Sequence, residues 1–304
     1  MKRTFKNMSF SNRIFFIFNS VFWILGLLII LYPLYLVCIA SVSDPDAVLR
    51  GDVTWRPVDF SLIGYKAVFA DSTIWIGYLN SLFYTVSSVC IALFVTMTAA
   101  YAISRKKLPG KKYINLYIIL TMFLNGGLIP TFLIMRDLGL YDTRLILILN
   151  GCFGVWNLML ARTYIQTTIP EELYEAAVLD GASHFQYFSK VVIPLSKTIT
   201  AVLAVYYGVA KWNDYFSGVV YIRDDKLLPL QTVLRRVLAS LQVNLTEETL
   251  SALASDIESM MEATRIANAS KYCLIVVSSV PAILLFMCMQ KYFEKGVMIG
   301  SLKG

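Results

Sequence analysis

The sequence predicts an all-α polytopic integral membrane protein with about six transmembrane helices, and three observations carry that expectation. Of the 304 residues, 57% are hydrophobic and 15% charged, where a soluble domain is nearer half apolar and a quarter charged. Six apolar stretches are each long enough to cross a bilayer, which takes about 20 residues. Lys and Arg gather at the ends of those stretches, so the formal charge of +7 is a topology signal and not a nucleic-acid-binding face.

The predicted spans cover residues 21–40, 78–103, 113–135, 145–165, 199–221 and 272–289. The first follows a basic segment (Lys2, Arg3, Lys6, Arg13). Its apolar core is too long for a secretory signal, and no small-residue cleavage site follows, so it reads as an uncleaved anchor. Orientation rests on the short 104–112 loop, which holds Arg105, Lys106, Lys107, Lys111 and Lys112 and no acid. Cations of this kind stay in the cytoplasm, which puts both chain ends inside. Two external segments are long: 41–77, net acidic, and 222–271, whose interleaved apolar and acidic residues suggest short amphipathic helices or a solvated loop.

The five cysteines lie in apolar stretches without C-x-x-C spacing, and His184 is the one histidine. A metal centre or a histidine-based catalytic site lacks raw material. His184 itself reads as a packing or surface residue. No G-x-x-x-x-G-K-[ST] string occurs, and Pro109-Gly110-Lys111-Lys112 lacks the first Gly and the hydroxyl, so the chain has no ATP cradle of its own.

The loop 166–198 shows its punctuation. Pro170 suits the first helical position, and Glu171 and Glu172 favour the positive end of the helix dipole. Leu173, Ala176, Ala177 and Val178 follow at helical spacing. Gly181 is placed to stop the helix in a left-handed cap. A second short helix carries Phe185, Phe188 and Val192 and closes at Pro194. Two short helices at an angle make a knob beneath the membrane.

These residues resemble the cytoplasmic motif of bacterial ABC importer permeases: E-A-A, three residues, G, nine residues, then I-x-L-P. Here the motif is Glu175-Ala176-Ala177, Asp180-Gly181 and Val191-Val192-Ile193-Pro194, with Val191 for Ile and Ile193 for Leu. Asn80-Ser81, Ala100-Tyr101-Ala102, Trp212-Asn213-Asp214-Tyr215-Phe216 and the tail from Gly296 resemble the MalG-type carbohydrate permeases. The run Phe123-Leu-Asn125-Gly126-Gly127-Leu-Ile-Pro130 resembles their LplC-like branch.

The resemblance implies one permease domain over 1–304 in the bacterial cytoplasmic membrane, paired with a second permease subunit as a heterodimer. Two ATPase subunits would hold ATP and Mg, this chain binding no cofactor. An extracytoplasmic solute-binding protein would deliver an oligosaccharide against the 222–271 loop. The 175–181 helix would be the coupling helix, with Glu175 contacting a basic residue of an ATPase subunit; without the motif Glu175 reads as a solvated helix acid. The tail Gly300, Ser301, Leu302, Lys303 and Gly304 would enter the ATPase interface or, as a plain terminus, fray.

Charges inside a span cost about 2.5–3.5 kcal/mol each at the helix centre and mark transport paths or paired interiors. Lys211 and Asp214, three apart, either pair structurally or line a path. Trp212 and Tyr215 either stack on sugar rings or anchor at the interface, and Asn213 lies between them. Asn80, Asn125, Trp156 and Asn157 are further pathway candidates, although an intramembrane Asn also bonds neighbouring helices. Gly126-Gly127 and Pro130 are placed to interrupt the third span. Two transport alternatives stay open: an ABC permease for a non-sugar solute, and an ion-coupled secondary carrier, which would need no knob.

Overall fold

The computed structural model describes residues 10–124, 126–243 and 257–301. Those residues are helical and turn, with no strand. In chain order α1 is Phe10–Ala40, α2 Pro45–Arg50, α3 Ile63–Ala70, α4 Ser72–Ser104 and α5 Lys111–Phe123. Then come α6 Leu128–Asp137, α7 Arg144–Leu149, α8 Val155–Thr168, α9 Glu172–Leu179 and α10 His184–Tyr187. A wider-pitched turn over Phe188–Val192 leads to α11 Ile193–Leu195, α12 Lys197–Trp212 and α13 Phe216–Tyr221. A 3₁₀ turn at Asp225–Leu227, α14 Leu230–Val243 and α15 Ile257–Ser301 complete the order.

All six predicted stretches are helical, but they divide into two kinds. Among the described residues, three helices are long and apolar enough to cross a membrane unaided: α1, α4 and the Arg265–Cys288 part of α15. The other three stretches are broken, between α5 and α6, between α7 and α8, and between α12 and α13. The last helix starts 15 residues before the predicted span at 272, because α15 opens at Ile257.

The chain forms two compact units, Met1–Asp71 with Val237–Val277, and Ser72–Arg236 with Ser278–Gly304. In the first, α1 exposes Phe15, Phe18, Phe22, Trp23, Ile29 and Leu34 around its surface. A helix apolar all round belongs in lipid. The segment after it folds on itself over Ile39, Ala47 and Val53. Asp44 caps α2 through the N–H groups of Asp46 and Ala47 and pairs with Arg265 at 2.6 Å. Asp46 pairs with the same guanidinium at 3.0 Å. Gly64 permits close approach to α15, since a Cβ there would stand 2.7 Å from the Ala269 backbone.

The second unit is built on α4, α8 and α12. Small side chains let these helices meet, as apolar packing in lipid requires: Ala92 and Ala100 on α4 and Ala161 on α8 are fully buried. Leu158, Ile165, Leu203 and Tyr207 complete the core. Its polar bonds serve the helix breaks. Tyr207 Oη accepts the Gly154 N–H at 3.3 Å, satisfying the start of α8, and meets Thr96 Oγ1 at 2.8 Å.

Lys211 Nζ donates to the Asn150 carbonyl at 2.7 Å and to Asp214 Oδ2 at 3.2 Å. Asp214 Oδ1 accepts the Ser217 N–H, and Asn150 Nδ2 donates to Ser217 Oγ. Side chains of α12 thus satisfy backbone groups at the break in the fourth predicted span, and the break in the fifth satisfies its own through Asp214, the condition for irregular chain at membrane depth.

Two consequences are measurable. Lys211→Met strips the Asn150 carbonyl and Asp214 of their donor and is expected to cost about 1–3 kcal/mol. Thermal unfolding in detergent checks this, with partial recovery in the Lys211→Met/Asp214→Asn double variant.

The second consequence concerns pH. Burial pushes the Asp44 carboxyl up, but the Arg265 hydrogen bond, the Ala47 N–H and the Arg265 charge together hold it below its ordinary value. A depressed carboxylate stabilises the fold above its unfolded pKa, and that stability is lost as pH falls through the folded value. Asp44→Asn is therefore expected to lower the melting temperature near neutral pH, with the difference from wild type shrinking below about pH 4. A difference independent of pH contradicts the ion pair.

Candidate functional site

The knob between α8 and α12 is the most finished piece of local structure in the chain. The helix starts at Glu172, later than Pro170 predicts, because the turn opened by Pro170 closes with short-range bonds, Leu173 N to Pro170 O and Tyr174 N to Glu171 O. Its other end is a Schellman cap. Gly181 takes φ +75°, its N–H bonds the Val178 carbonyl, and the Ala182 N–H bonds the Ala177 carbonyl. Ser183 then opens α10 with a reciprocal capping box to Gln186. The His184–Leu195 segment joins α12 at a 78° bend around buried Ser196.

The knob has an inner and an outer face. Leu179 is 89% exposed and Phe185 76%. Leu173, Glu175, Ala176, Val178, Asp180 and Pro194 are exposed as well. Ala177, Val191 and Ile193 are half-buried against the core. The motif residues thus divide between presentation (Glu175, Ala176, Asp180) and seating (Ala177, Val191, Ile193), with Gly181 fixing the angle between the two helices.

The inner face is aromatic. Tyr187, 1% exposed, packs edge-on against Tyr174 at 5.2 Å. Tyr101 from α4 packs on Phe188, also at 5.2 Å. The Arg105 guanidinium lies 4.6 Å from the Tyr174 ring centroid and 3.5 Å from Glu171. Burial pushes the Tyr187 phenol up, against the pull of the Arg105 charge, so the phenol stays protonated. Beside this cluster a cleft of about 380 Å³ opens between the basic 105–109 segment and Glu171, Tyr174, Glu175 and His184. Exposed apolar groups rimmed by charge are the makings of a protein-docking surface.

The pathway candidates do not gather in one place. Asn80 is buried and donates to the carbonyls of Lys226 and Leu228 at 2.8 and 3.2 Å. Trp212 is buried, its indole N–H bonded to the Ser278 carbonyl at 2.9 Å. The structure therefore places both in packed interior and not on an open face. Asp214 is paired with Lys211 as above. Asn213 is exposed, and Tyr215 carries Arg235 4.6 Å from its ring centroid. Trp156 is exposed and Asn157 half-buried beside Gly154. Asn125, Leu302, Lys303 and Gly304 lie outside the described residues, and Gly300 and Ser301 close α15.

Sequence reasoning missed Tyr101, Arg105, Tyr174 and His184 as a group. The available signals were Tyr101 between two small residues at the end of a span and a lone His after the glycine cap.

The cap carries a prediction. A left-handed backbone costs a β-branched residue about 1–2 kcal/mol. Nothing lies within 4 Å of a Cβ at Gly181, so Gly181→Val acts through backbone strain alone. It is expected to leave membrane insertion intact while disturbing the angle between α9 and α10. Limited proteolysis of the 166–198 segment checks this, with faster cleavage than wild type expected.

A family model described as "Binding-protein-dependent transport system inner membrane component" matches residues 4–299. The Polygalacturonan/rhamnogalacturonan transport system permease protein YtcP of Bacillus subtilis (strain 168) is 31% identical, over 96% of this chain and 99% of the relative. Protein LplC of the same organism is 33% identical, over 97% of this chain and 96% of the relative. A chain from the crystal structure of a bacterial ABC transporter involved in the import of the acidic polysaccharide alginate superposes with a TM-score of 0.83. It is 35% identical, covering 94% of this chain and 99% of that one. The chain belongs to the family of binding-protein-dependent transport system inner membrane components.

Proposed function

We propose that this multi-pass membrane chain is a permease subunit of an ATP-driven importer and that its substrate is an oligosaccharide. The observation that carries this reading is the knob: a glycine-capped helix with an exposed apolar tip, set between two core helices and rigidly seated beneath them. An ion-coupled carrier has no use for such a handle, and the chain has no phosphate-binding loop of its own. ATP and Mg therefore belong to partner ATPase subunits, which grip α9.

In this reading the 104–112 and 166–198 loops face the cytoplasm, as do both chain ends, and the membrane is the bacterial cytoplasmic one. A second, non-identical permease subunit completes the pathway, and a solute-binding protein docks outside. Closure of the ATPase pair pushes the knob, and α4, α8 and α12 move as one packed body to open the path outward, an alternating-access cycle. Glu175, exposed on the outer face of α9, supplies the charged contact. Asn213, Asp214 and Tyr215, at the break between α12 and α13, remain the pathway candidates with surface to offer. The relative named for polygalacturonan/rhamnogalacturonan transport and the solved transporter that imports the acidic polysaccharide alginate make oligosaccharides of these polymers the first substrates to try.

Glu175→Lys reverses the charge without touching the fold and is expected to reduce uptake of labelled oligosaccharide at least tenfold, roughly the loss of one charge-assisted contact. Membrane levels on an immunoblot should stay at wild type. Uptake should resist a proton uncoupler and vanish when the partner ATPase cannot hydrolyse ATP. Uptake abolished by the uncoupler alone, or wild-type uptake by Glu175→Lys, contradicts the reading.

A further inference from the structure

His184 occupies a position that the coupling reading leaves without a role, and its contacts are specific. Nδ1 stands 3.1 Å from the Tyr101 hydroxyl on α4, and Nε2 stands 3.3 Å from the Tyr174 hydroxyl on α9. The imidazole stacks on the Tyr174 ring at 5.5 Å and 23° and meets the Tyr101 ring edge-on. A neutral imidazole has one N–H and one lone pair, and each phenol donates or accepts, so either tautomer serves both bonds.

The attachment of α9 gives this bridge its importance. Leu173, Glu175, Ala176, Val178 and Leu179 are exposed. Apart from Ala177, the helix is tied to the body through Tyr174 and through the ion pair of Glu171 with Arg105, a residue just beyond α4. Tyr174 has Arg105 over its ring, Tyr187 at its edge and His184 across its stacking face. His184 opens α10, which continues to α12 by chain connectivity. Tyr101 belongs to α4, which packs on α12 through Thr96 and Tyr207.

We propose that His184 is a positioning residue, a strut that makes displacement of α9 reach α4 and α12 together, with Tyr101 and Tyr174 as its two joints. This rests on the importer reading above. Chain connectivity drives α12, and Tyr101 already packs on Phe188 of the knob. The strut adds directed hydrogen bonds from α9 to α4, so the core moves as a rigid body instead of shearing between the two helices. The small–Tyr–small sequence at 100–102 then has a physical reason: Ala100 lets α4 pack closely, and Tyr101 reaches out to the imidazole.

The test uses the intact complex, purified through this chain and placed in proteoliposomes, with oligosaccharide transported and ATP hydrolysed measured in the same sample. His184→Ala is expected to lower solute moved per ATP at least fivefold, while the amount of ATPase co-purifying stays within twofold of wild type. His184→Gln, which keeps one donor and one acceptor, is expected to recover at least half of the ratio. Tyr101→Phe and Tyr174→Phe, which remove only hydroxyls, should each lower the ratio, and the double variant should be no worse than the stronger single one.

If His184→Ala does not assemble, the two Phe variants decide. An unchanged ratio in both overturns the strut, and a reduced ratio supports it. Equal losses of transport and hydrolysis, with the ratio preserved, also overturn it. A wild-type chain that purifies without any ATPase instead removes the importer reading itself, and the strut with it.

Discussion

The constraint on which the structure depends is that no backbone polar group at membrane depth goes without a partner. A continuous helix meets it automatically, as α4 does, and α1 and the later part of α15 do so except at Pro33 and Pro281, each of which lacks the N–H for the carbonyl one turn before it. The fourth and fifth predicted spans do not, because each is interrupted. Their solution is shared: Lys211, beside one break, donates to the carbonyl of Asn150 at the other, Tyr207 accepts the N–H of Gly154, the cap residue before α8, and Asp214 accepts the Ser217 N–H at its own break. A lysine in an apolar helix is expensive. Here it compensates for an orphaned carbonyl and for Asp214 at once. Breaks repaired in this way are fixed points, not loose ones, and they hold α8 and α12 in register below.

That register is what makes the knob useful. The polypeptide leaves α8, turns through α9 and α10, and re-enters the core as α12 with a single sharp bend at Ser196. The short helices are stopped and started by hydrogen bonds that leave no slack: the glycine cap at Gly181, then the Ser183–Gln186 box. The inner face is locked by rings and one guanidinium. The outer face, with Leu179 and Phe185 nearly bare, is complete only with another protein against it. A stiff protrusion with an exposed apolar tip has the shape of a handle, which is what the proposed coupling to an ATPase subunit requires.

Much of this was legible in the residues. The hydropathy of the chain declares its spans, and the pattern from Pro170 to Pro194 declares the knob down to the left-handed glycine. The breaks inside the fourth and fifth spans were not legible, because Asn150-Gly151 and Asn213-Asp214 barely dent the apolarity of their windows. What decides helix continuity there is a bond between residues 61 apart in sequence. Asn80 and Trp212 looked like pathway groups for the same reason. Intramembrane polarity says only that a partner exists, and the partners, Lys226, Leu228 and Ser278, come from distant segments. His184 was undervalued because its two phenol partners lie on two other helices, one of them 83 residues away.

In the proposed importer the tip of α9 is gripped by a separate nucleotide-hydrolysing protein on the cytoplasmic side. A photoactivatable amino acid at Leu179, with cross-linking in intact cells, tests it most directly. One dominant adduct is expected, an ATPase subunit identified by mass spectrometry, whose yield changes when nucleotide is trapped. An adduct with an extracytoplasmic protein, or labelling of this position from outside by a membrane-impermeant reagent, would contradict it.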